Sequence, residues 1–425
     1  MHLEQIHIIP PMERIIPRLS QALLGVRHQG WQIQCESVTI PAIPTEEQDD
    51  PTEAKSTMSP SGRPRPQRVL TGEALPYSLG LSSLLRGQIA TKASSSCTAT
   101  WLWKTQAAHV KEGKVVAVKA DAVHGGLGCG EAGAGEKVIL LLAGSGLSEV
   151  GPIVGPLSWT ITRQSGLRLL IIKNRRLDYA TTLQDALAGY AYLVDRLGFL
   201  PRNITLLGEG AGAGLCVSLT LYLSALSQTS KSAARIGRPG KLLLFSPWCD
   251  MTVSEDILRQ NSEVDIIDLE SQLRARLRYI ETFEKRPSGK ELEQTVENLS
   301  GRYAGKGDDI DLTKLGSELP ETIENLGPSH PLISPGMPIS VNRYTKMAMQ
   351  LLGTGSGSTL RILICAGSAE SHITEARSLA NNLSSIENLQ IDYIEGEDKV
   401  TNFSFVTASQ ANMRVDEISQ AFLSN

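Results

Sequence analysis

The sequence predicts an α/β fold: a mainly parallel sheet with helices on both faces and a helical cap over one end. Two observations carry this. First, short apolar runs alternate with helical stretches: "KVILLLAG", "LRLLIIK", a helix from Leu183 to Leu197, "NITLLGEG", a helix to about Leu226, "KLLLFSPW", then "LRILICAG" and "LQIDYIEG". Runs that are apolar without alternation suit strands covered on both faces, and strand–helix alternation builds a parallel sheet through crossover helices. Second, this rhythm stops between Thr252 and Pro328, where charged helical segments such as "DLESQLRARLRYIETFEKR" replace it. That segment reads as an insertion lying over one end of the sheet.

The elements fall into four regions. Residues 1–105 form an N-terminal leader. Within it, residues 36–76 ("IPTEEQDDPTEAKSTMSPSGRPRPQ" at the centre) are rich in Pro, Ser, Thr and charge, too polar to bury themselves, and read as a mobile loop. Residues 106–252 form the first part of the core, 253–328 the helical cap and 329–425 the second part of the core. No repeat of fixed period is visible.

Bulk composition narrows the partners. A chain of 425 residues with 41% hydrophobic content supports a large core. With 41 basic and 45 acidic residues, a net charge of -4 and no basic block, nothing suggests a grip on nucleic acid. The six cysteines, Cys35, Cys97, Cys129, Cys216, Cys249 and Cys365, form no C-x-x-C pair, so buried free thiols are expected rather than disulfides or zinc. A reducing, cytoplasmic compartment follows. The N-terminal "MHLEQIHIIPPMERIIP" is broken by prolines and "VILLLAG" is too short for a bilayer, so neither signal peptide nor membrane span is expected. No metal and no cofactor are expected, the partner is a lipophilic small molecule, and the oligomeric state is not legible.

The stretch "ITLLGEGAGAGLCVSL" places a glycine turn between a buried strand and a helix. Gly208, Gly210 and Ala213 satisfy the spacing of a dinucleotide loop, which also wants an acidic residue at the end of the next strand to hold the ribose. Phe245 and Ser246 stand there instead, and the turn comes after at least two strands. The alternative is a nucleophile elbow, G-x-S-x-G, with Gly208 and Gly212 in place and Gly210 at the serine position.

The neighbouring segments favour the elbow. Asp185, Ala186, Tyr190, Leu193, Leu197, Gly198, Pro201, Gly208, Ala211 and Gly212 match the pattern of the hormone-sensitive-lipase-like branch of the α/β-hydrolases, which this chain resembles from roughly Gln106 to Phe405. "LLLFSPWCDMT", Leu242 to Thr252, looks like that branch's S-P-W-x-D-x-T segment, and "SHPLISP", Ser329 to Pro335, resembles the stretch leaving the cap in the fungal steryl-acetyl-hydrolase-like subgroup. The resemblance implies an α/β-hydrolase fold and locates a triad that is degenerate. Gly210 stands at the nucleophile position, Glu370 at the acid position and Thr401 at the histidine position. "AGSG", Ala143 to Gly146, replaces H-G-G-G, and Gly144, Ser145, Gly146 and Ala211 are the expected oxyanion-hole and binding positions.

A serine hydrolase needs an oxygen nucleophile and an imidazole base, and glycine and threonine supply neither. Glu209, at the family's aspartate, is expected to support the turn and is a possible general base. Ser145 and Ser368 are conceivable displaced nucleophiles. His372 is a conceivable substitute base, with a surface histidine opening a helix as its plainer reading, and Tyr179 is expected in the core or pocket wall. Backbone donors survive loss of a triad, so such a site can still polarise a carbonyl or orient a chain for ring closure. Plant carboxylesterase-like cyclases put this fold to such use. The expected function is therefore a non-hydrolytic biosynthetic enzyme, a cyclase or isomerase. The alternatives are a pseudo-hydrolase binding protein and an esterase or deacetylase with a relocated nucleophile.

Overall fold

The computed structural model describes residues 31–40, 96–106, 110–111, 114–115, 128–144, 154–175, 178–227, 236–280, 327–354, 359–402, 419 and 422–423. Its main strands are β1 (Trp31–Ile40), β2 (Cys97–Gln106), β3 (Val138–Leu142), β4 (Arg168–Lys173), β5 (Ile204–Glu209), β6 (Lys241–Phe245), β7 (Leu360–Gly367) and β8 (Leu389–Gly396). They form one eight-stranded sheet in the order β1-β2-β4-β3-β5-β6-β7-β8. β1 and β2 pair antiparallel, as do β2 and β4, and the other described pairings are parallel.

The core follows from the period of two along each strand. Leu140, Leu142, Leu206, Leu242, Leu244 and Ile364 face one buried cluster, with the helices α2 (Tyr179–Ala191) and α3 (Ala211–Ser227). Ile139, Leu141, Leu207, Leu243 and Leu363 face the other, with α1 (Val154–Ser165) and with Phe422 and Leu423. β3, lying between β4 and β5, is apolar at all five positions because both of its faces are covered. At the start of β4, buried Arg168 binds both carboxylate oxygens of Glu136, at 2.7 and 2.9 Å, and donates to the carbonyls of Gly128 and Gly130. Arg168 thereby fixes the loop that feeds β3.

Three expectations need correction. The leader is not separate from the core, because β1 and all but the last residue of β2 fall in residues 1–105 and belong to the main sheet. The mobile loop does not begin at Glu36: β1 runs to Ile40, and Glu36 and Ile40 pair with Trp101 and Cys97. Pairing supplies the backbone partners that composition could not show, while 41–76 lie outside the described residues. Finally, α2 starts at Tyr179 rather than Leu183, because Asp178 caps it by accepting from the Thr181 amide at 3.0 Å, and it ends at Ala191 in a π-helical turn, Tyr192–Arg196.

Between β6 and β7 the chain leaves the sheet and forms α4 (Glu255–Asn261) and α5 (Leu269–Ile280) before 281–326, which lie outside the described residues. α6 (Arg343–Gly353) and α7 (Ile373–Ser384) follow. The six cysteines are unbridged, and Cys97, Cys216, Cys249 and Cys365 are buried. Among the described residues no helix is long and apolar enough to cross a membrane, and no group of three or more His, Cys, Asp or Glu side chains could hold a metal ion.

Candidate functional site

β5 ends in Glu209 and turns through Gly210, which has φ of +54°, straight into α3. The Gly210 amide donates to the Phe245 carbonyl at 3.0 Å, and the Gly210 carbonyl accepts from Trp248 at 3.0 Å. An L-residue at this φ carries strain that glycine does not. There is room for one: a Cβ here would sit 3.7 Å from the nearest heavy atom, the Gly144 carbonyl oxygen. The turn between β5 and α3 is thus left-handed at Gly210, with space beside it for a Cβ.

The loop after β3 packs directly on this turn. A Cβ on Gly144 would fall 1.8 Å from the Glu209 carbonyl oxygen and 2.1 Å from the Gly212 nitrogen, so only glycine allows the approach. Asn174 donates to the Ala143 carbonyl at 3.2 Å and holds the loop from the other side. The Gly144 amide donates to Glu209 Oε1 at 3.2 Å, so it is committed to that carboxylate and not to an oxyanion hole. That corrects the expectation for Gly144. Ser145 and Gly146 lie outside the described residues, and Ala211 opens α3 beside the loop.

The three triad segments converge through hydrogen bonds. Glu370 is fully buried, and its Oε1 accepts from Ser246 Oγ and from the Gly367 amide, both at 2.6 Å. Ser246 Oγ in turn accepts from the Asn402 amide at 2.8 Å, and Asn402 Nδ2 donates to Glu209 Oε2 at 3.2 Å. The acid position, the residue after Thr401 and the residue before Gly210 therefore form one network. Thr401 faces elsewhere: its amide and hydroxyl donate to Asp265, at 2.9 and 2.7 Å. Glu209, with both oxygens taken by Gly144 and Asn402, braces the turn.

Burial pushes the Glu370 carboxyl up to about 7, against the Ser246 and Gly367 hydrogen bonds, with Asp265 adding to the rise and His372 opposing it. The sign follows from linkage. A carboxyl whose folded pKa lies above its unfolded value of 4.5 favours the fold below pH 4.5 and loses that contribution as pH rises to 7. Glu370→Gln keeps an oxygen for Ser246 and Gly367 but cannot ionise. Its melting temperature relative to the wild type is expected to rise between pH 4.5 and 8, and a flat difference over that range would exclude an ionisable, destabilised Glu370.

His372 is a correction. It is not on the surface: it is 5% exposed, its Nδ1 lies 2.8 Å from Glu375 Oε1, and its ring packs 5.4 Å from Trp248. Glu375 also accepts the amides of Cys249 and Asp250, which drew the helix start inward. Ser368, in the turn after β7, is occupied by the turn after β8, accepting from the Asp398 amide at 2.8 Å. Tyr179 is fully buried, edge-on to Tyr279 at 5.6 Å.

A cavity lies beside the elbow, lined by Gly144, Asn174, Thr182, Ala211, Trp248, Ala275 and Tyr279 among others, the last two from α5. It reaches Ala211, and Gly210 is not in its wall. Its volume, about 20 Å³, holds one water on the scale where a single water needs at least 10–15 Å³. Among the described residues no carboxylate, imidazole, amine or thiol lines it, and its polar side chains are Asn174, Thr182, Trp248 and Tyr279. Sequence reasoning missed Asp265, Ser246, Asn402 and Asn174. For Asn402 the one local signal was its place next to Thr401; the structure gives it a φ of +55°, which asparagine tolerates.

The profile of the steryl acetyl hydrolase family matches residues 169–300. A putative steryl acetyl hydrolase of Schizosaccharomyces pombe, mug81, is 32% identical over 140 residues, which are 32% of this chain and 33% of that protein. The match thus spans about a third of the relative's length. Among solved structures, a mutant of the esterase E40 superposes with a TM-score of 0.50 at 16% identity, covering 98% of each chain. An esterase of the bacterial hormone-sensitive lipase family gives 0.47 at 18% identity, over 77% of this chain and 80% of that one.

Proposed function

We propose that this chain, an α/β-hydrolase-fold protein related to steryl acetyl hydrolases and esterases, binds a lipophilic small molecule without hydrolysing it. In this reading it promotes ring closure of a biosynthetic intermediate by positioning it under the cap. The observation that carries this is the elbow itself: Gly210 keeps the nucleophile's backbone conformation, and Thr401, at the histidine position, is bound to Asp265. Acyl transfer has lost both nucleophile and base, while binding needs neither. In this reading the chemistry is a pericyclic closure, which needs only orientation and a polarised carbonyl, and the described wall of the cavity carries no carboxylate, imidazole or thiol. In this reading the Ala211 amide, at the start of α3 and in the cavity wall, would serve as donor for that carbonyl. The division into leader, core and cap is part of this proposal, with β1 and β2 now counted in the core.

The second reading is a pseudo-hydrolase that binds and does not catalyse. The small cavity favours it, since a substrate must displace Ala275 and Tyr279 to enter. Metabolite profiling of a deletion strain separates the two. The leading reading expects an uncyclised precursor to accumulate and to be converted by purified protein. An unchanged profile leaves the binding protein, and an accumulated acetyl or other ester overturns both in favour of a relocated hydrolase.

A further inference from the structure

We propose that Asp265 is a positioning residue that has taken over the histidine segment of the triad to hold the cap helix α5 above the cavity. This rests on the binding reading only in what the cap covers. The contact itself stands on geometry.

Asp265 lies between α4 and α5, and its carboxylate accepts four hydrogen bonds. Oδ1 accepts from the Thr401 amide at 2.9 Å and from the neighbouring Ile266 amide at 2.8 Å. Oδ2 accepts from the Thr401 hydroxyl at 2.7 Å and from the Ser371 amide at 2.9 Å. Ser371 follows the acid position and Thr401 is the histidine position. One carboxylate therefore clasps two of the segments that carry a catalytic triad elsewhere in this fold. Hydrogen bonds to a charged acceptor are stronger than neutral ones, and three of these four join the insertion to the core.

The grip is transmitted over a short distance. Three residues on, Asp268 accepts from the Ser271 amide at 2.9 Å and starts α5, which carries Ala275 and Tyr279 into the cavity wall. Gln272 fastens the same turn by donating to the Ile267 carbonyl at 2.8 Å. Glu263, Val264 and Asp268 are exposed, while Asp265, Ile266 and Ile267 are half-buried. Its charge is felt by Glu370, which it helps to keep protonated. A threonine at 401 supplies the hydroxyl that Oδ2 takes, and an imidazole could not place a donor on the same short stem.

The test is hydrogen exchange of the full chain, comparing α5 with β3 and β5, together with stopped-flow entry of the apolar probe N-phenyl-1-naphthylamine. Asp265→Ala should raise α5 exchange about tenfold or more, leave β3 and β5 unchanged, and speed probe entry. Thr401→Val removes one bond and should give a smaller rise, and Thr401→Ser, which keeps the hydroxyl, should match the wild type. Unchanged α5 exchange in Asp265→Ala, or an equal rise throughout the sheet, overturns the proposal. If that variant does not fold, the threonine pair decides, and equal α5 exchange in Thr401→Val and Thr401→Ser overturns it. Probe binding absent from every variant while α5 exchange follows the expected order supports Asp265 and counts against the lipophilic site.

Discussion

Purified protein is expected to hydrolyse p-nitrophenyl acetate without a burst, at no more than about 10³ to 10⁴ times the water rate, the residue that binding and hole donors leave when a triad is removed. A fluorophosphonate should label none of its serines. The reason is positional. Gly210 has no side chain, Ser246 donates its proton to Glu370 inside the protein, and Ser368 is tied into a turn. Gly210→Ser alone should stay inert, since the new hydroxyl has no imidazole to take its proton. It should nonetheless fold, because the space for its Cβ exists. Burst kinetics or a labelled serine in the wild type would move the nucleophile to an unexpected place and end the non-hydrolytic reading.

The second large effect is structural. Gly144→Ala should cost more than about 4 kcal/mol, the range reserved for changes that break a specific feature. The added methyl meets backbone, the Glu209 carbonyl and the Gly212 nitrogen, and neither can step aside without dismantling the elbow. Gly210→Ala, at the end of the neighbouring strand in the same site, should cost only about 1 to 2 kcal/mol, the penalty for an L-residue in the left-handed region. Urea midpoints with matched slopes measure both. Similar losses in the two variants would mean that the loop and the elbow do not pack as described.

How much was legible depends on how far each contact reaches. The central strands were legible because a strand covered on both faces writes its burial as an unbroken apolar run, as in β3 and β6. The strand–turn–helix at Gly210 was legible because its glycine motif is local. Asp265 was not, since its partner Thr401 lies 136 residues away and an acid in a charged insertion carries no mark of it. The same holds for Asn402 and Glu209, 193 residues apart. His372 was misread because one residue at a helix start has no period to betray its face. β1 was overlooked although "WQIQCESVTI" alternates, since its end runs into a polar, proline-rich window.

The sheet order has a consequence for how the chain is made. β6 ends at Phe245 and its outer neighbour β7 begins at Leu360, so the 114 residues from 246 to 359 must be synthesised between them. At ribosomal speeds of about 5–20 residues per second, that interval lasts roughly 6 to 23 s. Throughout it the nascent chain presents "KLLLF", an apolar strand with an unpaired edge, the kind of surface on which chains adhere to one another. Conditions that slow the ribosome across the insertion lengthen the time for which this edge stays unpaired.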